Sequence, residues 1–389
     1  MLTPAVEEQL VRRAHSQRKG VRARHNGTSS LPASSLRRRP AVRRQCRLMG
    51  CGASVVAPEA PKQLVLLGGG ECGKTTIFKQ ITILHSSGFS DEKAMEWVPS
   101  IHRSLLRSMQ VVSRRVRDSG KLEAMLPEDK ERVTRVLEAA DSATSTLTAA
   151  LAADIKSLWE NAAVQEVMHE ADASGQHDGR DMRLDLDDNA LFFLNKVEEI
   201  AKPGFRPSDE EILKVRDPTR TIETVDFQAN KTKFRVIDVG GQRMERPKWN
   251  LTGEITAVIF VCALTEYNQV LREDVKQNRL KESINLFDIA CNRRYPDKPI
   301  ILFLNKLDLF EEQIKKVDLN VCFPAYKGGK DAKRALEFIR WKFTSIIKDK
   351  DKDIYIKETT ATDPKNMEHI LNSVYEIVLR QNLTQSGFG

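Results

Sequence analysis

Residues 64–76 read LVLLGGGECGKTT, an apolar strand pattern that runs into Gly68, four further residues and then Gly73-Lys74-Thr75. This is the phosphate-binding loop pattern G-x-x-x-x-G-K-[ST] in the setting it requires, after a strand and before a helix. Ile77, Ile81 and Leu84 continue at helical spacing. Glycines let backbone N–H groups close around phosphate oxygens, and the N-terminus of the following helix adds partial positive charge. Gly70, Glu71, Cys72, Gly73, Lys74, Thr75 and Thr76 are therefore nucleotide-binding candidates. Lys74 is placed to reach the β- and γ-phosphates, and the Thr75 hydroxyl to ligate Mg²⁺. A strand, tight turn and helix in this order imply an α/β fold.

Three later segments repeat the scheme of an apolar strand followed by a polar loop. Residues 233–243, KFRVIDVGGQR, end in Asp238, which can hold Mg²⁺ through water, and in the pair Gly240-Gly241, which lets a backbone N–H approach a terminal phosphate. Residues 299–308, PIILFLNKLD, end in Asn305-Lys306-Leu307-Asp308. A carboxylate at Asp308 can accept both guanine N1–H and the 2-amino group, a donor pair that adenine lacks, so it favours GTP over ATP. Residues 354–363, IYIKETTATD, bring Thr360-Ala361-Thr362, whose backbone can meet the base carbonyl. Loops at the carboxyl ends of parallel strands converge on one ligand.

The chain has 389 residues, enough for two or three domains or for one domain with an insertion. Its net charge of +8 belongs to one end. Residues 1–48 hold twelve Lys and Arg against Glu7 and Glu8, which leaves fifty basic and fifty-two acidic residues elsewhere. Nucleic-acid binding by the folded body has little support on that count. The six cysteines form no C-x-x-C pair and no metal-binding spacing, which points to a reducing, intracellular compartment. No run approaches the roughly 18 apolar residues of a membrane helix.

Together the P-loop, D-x-x-G-Q at 238–242, N-K-x-D at 305–308 and T-x-A-T motifs, with the phrases DVGGQR, ILFLNK and TATD-x-KN, resemble heterotrimeric G-protein alpha subunits over about residues 49–389. Small Ras-like GTPases share the motifs but not the roughly 130 residues here between the P-loop helix and the segment at Arg216. The resemblance implies a P-loop GTPase with a mostly parallel sheet flanked by helices, plus an inserted all-helical domain that covers the nucleotide. It divides the chain into a GTPase first part at 62–85, the insertion at 86–212 and a GTPase second part at 213–389. Leu105, Leu106, Met109 and Val112, and Leu147, Leu151, Ile155 and Leu158, recur at near-helical spacing within the insertion, while 170–187 reads as a loop. In Arg216-Asp217-Pro218-Thr219, the resemblance makes Arg216 a catalytic arginine and Thr219 an Mg²⁺ ligand. Gln242 orients the attacking water, Gly241 meets the γ-phosphate, and turnover is on the order of 10⁻² s⁻¹, as is general for this class. The run Met367, Ile370, Leu371, Val374, Ile377 and Val378, with the tail that follows, forms a receptor-reading helix in this family, and switch II contacts an effector. A GTP-binding scaffold with little or no hydrolysis is the second reading.

The N-terminal region departs from the family. Residues 1–48 look disordered, and read either as an Arg-rich transit peptide or as absent from the native protein if translation begins at Met49. Met49-Gly50-Cys51-Gly52-Ala53-Ser54 then fits N-myristoylation of Gly50, with Cys51 as a palmitoylation site. Two acyl chains give stable anchoring where one does not, which places the protein on the cytoplasmic face of the plasma membrane; without that start it is cytoplasmic. The short lipidated stretch 49–61 contains Pro58 and Pro61 and leaves no room for the family's long N-terminal helix. Trp249 is followed by a flank one residue shorter than usual, and both features put binding of a beta-gamma dimer in doubt.

Overall fold

The computed structural model describes residues 60–385 apart from 86–87, 140–146, 174–183, 185, 220, 230, 252–253 and 272. The basic tail, Gly50, Cys51, the expected short N-terminus up to residue 59, part of the shortened flank and residues 386–389 lie outside the described residues.

The strands are β1 (Lys62–Gly68), β2 (Glu223–Ala229), β3 (Thr232–Asp238), β4 (Ala257–Ala263), β5 (Val270–Leu271), β6 (Asp274–Asn278), β7 (Ile300–Asn305) and β8 (Ile354–Thr359). Six of them form one sheet in the order β2-β3-β1-β4-β7-β8, in which only the β2–β3 pair is antiparallel. β4, Ala-Val-Ile-Phe-Val-Cys-Ala, is buried at every position, as a strand covered on both faces must be. Register aligns the strand ends that matter: Leu66 lies opposite Asp238, Gly68 opposite Val261, and Asn305 opposite both Ala263 and Thr359. The polar loops thus leave the sheet along one edge.

Strand alternation divides the core into two layers. Leu64, Leu66, Ile259 and Val261 face α1 (Lys74–His85) and the C-terminal helix, while Val65, Leu67, Val258 and Phe260 face the other side. Phe260 is fully buried, with Phe287 edge-on at 5.2 Å, and truncation to Ala would cost about 3–5 kcal/mol.

Between α1 and β2 the structure is helical: α2 (Asp91–Met95), α3 (Val98–Asp118), α4 (Pro127–Glu138), α5 (Ala149–Trp159), α6 (Ala162–Ala173), α7 (Ala190–Leu194), α8 (Val197–Ile200) and α9 (Asp209–Lys214). These helices bury a core of their own, including Leu105, Met109, Val112, Ile155 and Leu158, and Leu151 packs at its margin. α6 extends to Ala173, so the first four positions of the loop expected at 170–187 are helical instead: AAVQEVMHEADA carries no glycine or proline to stop the helix earlier. α9 begins at Ser208, whose hydroxyl accepts from Glu211 N while the Glu211 side chain accepts from Ser208 N. It runs through residue 212, where the expected segment boundary falls.

The remaining helices are α10 (Arg279–Ile289), α11 (Leu307–Lys316), α12 (Ala332–Thr344) and α13 (Pro364–Gln385). α13 buries Met367, Ile370, Leu371, Val374 and Val378, whereas Ile377 is only half-buried. Its Tyr375 is also buried, and the hydroxyl lies 2.8 Å from His85 Nε2 at the end of α1. Among the described residues, no helix is long and apolar enough to cross a membrane.

Candidate functional site

A cavity of about 1060 Å³ opens at the carboxyl edge of the sheet, between it and the helical segment. Its lining includes Gly70, Glu71, Gly73, Lys74, Thr75 and Thr76 from the P-loop, Arg216 and Thr219 from the segment before β2, and Gly241 and Gln242 from the turn after β3, the two segments that the resemblance labels switch I and switch II. Asn305, Lys306, Asp308, Ala361 and Thr362 complete it on the far side. Cys72, Asp238 and Thr360 are not part of the lining.

The P-loop is shaped by close backbone approach. A Cβ on Gly68, at φ 145°, would come 2.1 Å from the Val261 carbonyl oxygen of β4. Glu71 takes a left-handed backbone at φ 65°, which costs a non-glycine residue free energy that other contacts must offset. Arg279 and Arg216 both pair with its carboxylate. Lys74 Nζ donates to the carbonyls of Gly69 at 2.5 Å and Gly68 at 3.3 Å. The buried Cys72 thiol turns back toward the Gly69 carbonyl at 3.2 Å, and burial raises its pKa, so Cys72 contributes backbone rather than a thiolate.

Three oxygen-bearing side chains meet beside Lys74. Thr75 Oγ1 lies 2.6 Å from Thr219 Oγ1 and donates to Asp238 Oδ2 at 2.9 Å; Thr219 Oγ1 donates to the same oxygen at 3.3 Å. Asp238 is fully buried, and among the described residues its Oδ1 has no hydrogen-bond partner. Burial pushes its carboxyl above the usual carboxylate range despite the nearby Lys74 charge. A desolvated carboxylate with an unused oxygen, flanked by two hydroxyls, is a hard-oxygen set of the kind a small divalent cation takes.

The switch regions close over this point. A Cβ on Gly241 would sit 2.2 Å from Gly69 O and 2.3 Å from Lys74 Nζ, so only hydrogen fits there. Gln242 lies over Gly70, whose added Cβ would come 3.3 Å from Gln242 Cγ. Arg216 Nη1 donates to Asp187 Oδ1 at 2.8 Å, and Nη2 pairs with Glu71.

Asn305 lines the far end and also organises it. It is buried, donates to Cys72 O at 2.9 Å, and accepts from Thr359 Oγ1 at 3.0 Å and Ala361 N at 3.1 Å. It therefore ties the P-loop to the loop after β8. Thr360 N–H goes to Asn366 Oδ1 at 3.0 Å, so Ala361 and Thr362 form the cavity wall there and Thr360 does not. Lys306 stands in the left-handed region at φ 62° and pairs with Asp188.

A family model for the G-protein alpha subunit matches residues 54–378. The chain belongs to the G-protein alpha subunit family. It is 38% identical over 334 residues to the guanine nucleotide-binding protein alpha-2 subunit of Dictyostelium discoideum, covering 84% of this chain and 90% of that one. It is 36% identical over 340 residues to the alpha-7 subunit of Caenorhabditis elegans, and 36% over 329 residues to the G(o) subunit alpha of Locusta migratoria, with the same coverage in each case.

Four residues of this alpha-subunit chain escaped sequence reasoning. Arg279 donates to Gly70 O at 2.7 Å, to Glu71 at 2.8 Å and to Glu266 at 3.1 Å. Burial opposes its charge, and Glu266 and Glu71 more than offset that. Burial pushes the Glu266 carboxyl above its usual range. Asp187 and Asp188 hold Arg216 and Lys306 from the helical segment. Glu266 carried a readable signal, an acid three residues past a wholly buried strand, much as Asp238 is an acid that ends β3.

Proposed function

We propose that this chain is a guanine-nucleotide switch that binds GTP with Mg²⁺ and hydrolyses it to GDP. The observation that carries the reading is the meeting, in one cavity, of Lys74, Thr75, Thr219, Gly241 and Gln242 with Lys306 and Asp308. Thr75, Thr219 and, through water, Asp238 would hold Mg²⁺, which the unused Asp238 oxygen and the two hydroxyls suit. Held there, Mg²⁺ would supply positive charge to offset that of the phosphates.

Lys74 and the P-loop N–H groups hold the phosphates, and Asp308 selects guanine through its N1–H and 2-amino donors. The Ala361-Thr362 wall closes the base site. Gln242 orients the attacking water. Arg216 turns its guanidinium to the charge that develops as the γ-phosphoryl group leaves, trading a carboxylate for phosphate oxygens. The γ-phosphate orders both switches, and its loss releases them.

Relay follows from the same reading. α13 and the tail beyond it take an activated membrane receptor, switch II takes an effector, and Gly50 and Cys51 anchor the chain to the cytoplasmic face of the membrane. Residues 62–85 and 213–389 make the GTPase body in this reading, and 86–212 the inserted domain. The second reading, a GTP-binding scaffold with little hydrolysis, draws on the engagement of Arg216 by Glu71 and Asp187.

Equilibrium binding of GTP, GDP and ATP to the full chain, with and without Mg²⁺, tests the binding part. Tight guanine-nucleotide binding, strengthened by Mg²⁺ for GTP, with ATP failing to compete, is the expected result. Competition by ATP at equal concentration contradicts it.

A further inference from the structure

Arg216, Asp217 and Thr219 all line the cavity, but the Asp217 carboxylate is engaged by the helical segment. Its Oδ2 accepts from Ser100 Oγ at 2.8 Å, and Ser100 is buried in the first turn of α3. Arg103 Nη2, one turn further along, donates to the same hydroxyl at 3.3 Å. Ser100 and Asp217 are 117 residues apart in the chain. The N-cap of α3 is Trp97, which makes no side-chain cap, and Pro99 brings no N–H, so this helix end gains from an external carboxylate beside its positive pole.

The backbone before Asp217 is also tied down. Lys79 of α1, itself buried, donates to the carbonyls of Ile212 at 2.9 Å and Val215 at 3.1 Å, and its ammonium lies 3.8 Å from the centre of the Trp97 ring. Pro218 fixes its own φ and restricts Asp217 to extended backbone, so the strap cannot relax by rotating at that point. The side chains of the strap thus diverge: Arg216 to Glu71 and Asp187, Asp217 to α3, Thr219 to Thr75 and Asp238.

We propose that Asp217 is a positioning residue: through Ser100 it clasps the strap 215–219 to the start of α3, which holds Arg216 and Thr219 over the nucleotide and retards nucleotide escape. The proposal rests on the reading of the cavity as a guanine-nucleotide site. Asp217 lines the cavity but its carboxylate is taken by Ser100, which does not line it. Their loss acts only through the strap and through the seam between the strap and the helical segment.

The test uses the full chain carrying Ser100→Ala, Asp217→Ala, Asp217→Asn or the Ser100→Ala/Asp217→Ala pair. Dissociation of a fluorescent GDP analogue and single-turnover cleavage of GTP are followed in each. Ser100→Ala and Asp217→Ala should each speed GDP release roughly tenfold, the size of one hydrogen bond to a charged group. The double variant should release no faster than either single one, because both remove the same link. Asp217→Asn, which keeps an acceptor oxygen for Ser100, should stay within about threefold of wild type. A merely structural role would show as lowered thermal stability with additive effects and no such rescue. Wild-type release rates in both single variants, or multiplied effects in the double variant, overturn the clasp while leaving the nucleotide site intact. A wild-type chain that binds no GDP overturns both together.

Discussion

Arg216 and Asp187 form an ion pair at 2.8 Å, and the same guanidinium pairs with Glu71 of the P-loop. One side chain thus joins three parts of the fold: the strap before β2, the turn before α7 and the loop after β1. Its charge is balanced on both sides, and Glu71 keeps Arg279 when Arg216 moves. Arg216 is therefore free to trade a carboxylate for phosphate oxygens without leaving Glu71 unpaired.

On this basis Arg216→Ala should slow GTP cleavage by about 10³-fold or more, the contribution of such an arginine in this class. GDP binding should change by less than about tenfold, because Lys74 and the P-loop carry most of the phosphate contacts. Rapid-quench hydrolysis paired with equilibrium GDP binding measures both quantities. Equal losses in the two would assign Arg216 to uniform binding instead.

Asp308 sits in the first turn of α11 at the cavity wall. Asp308→Asn exchanges an acceptor of two donors for a group that both accepts and donates. Guanine affinity should fall by about 100-fold or more, the cost of losing charge-assisted hydrogen bonds. Xanthosine triphosphate, which carries a carbonyl where guanine has its amino group, should gain. Competition against labelled GTP reads the exchange directly.

Gly241→Ala pushes a methyl group into Gly69 O, Gly68 O and Lys74 Nζ, and two of these three atoms are backbone. The turn after β3 must then stand away from the P-loop. The expected outcome is a loss of hydrolysis of at least about tenfold with GDP still bound. Comparing GTP and GDP affinities of this variant checks the claim, since an unchanged GTP affinity would mean that the turn closes by another route.

Glu211 is buried and pairs with Lys196 at 2.7 Å. Burial raises its pKa, but Lys196 and Ser208 outweigh it, and the folded value lies below the ordinary one. Its stabilisation is therefore fully present above the unfolded pKa of about 4.3 and is lost as pH falls through the lower folded value. Glu211→Gln should cost about 1–3 kcal/mol near neutrality. That deficit should shrink below about pH 4, as seen in urea melts across pH.

The strands and loops that carry the cavity were legible because each combines a local signal with its chemistry. β1 and the P-loop, β3 with Asp238, and β7 with Asn305 and Asp308 all end buried strands in polar, turn-forming residues. Much of the helical segment was legible from its apolar spacing. What stayed hidden was pairing at long range. Arg279 meets Glu71 across 208 positions, and Lys306 meets Asp188 across 118. No local periodicity encodes such contacts, because they exist only once the sheet edge and the helices have closed together. Asn305 shows the same limit: its motif marks it as a nucleotide-site residue, and only the structure adds that, within the cavity lining, it braces Cys72 O against Ala361 N.

Single-turnover release of γ-phosphate from prebound GTP on adding Mg²⁺ tests timed hydrolysis most directly. The full chain should release phosphate at a rate on the order of 10⁻² s⁻¹. Gln242→Leu should bind GTP with similar affinity and release essentially none on that timescale. A wild-type rate indistinguishable from that of Gln242→Leu would contradict the account and favour a GTP-binding scaffold.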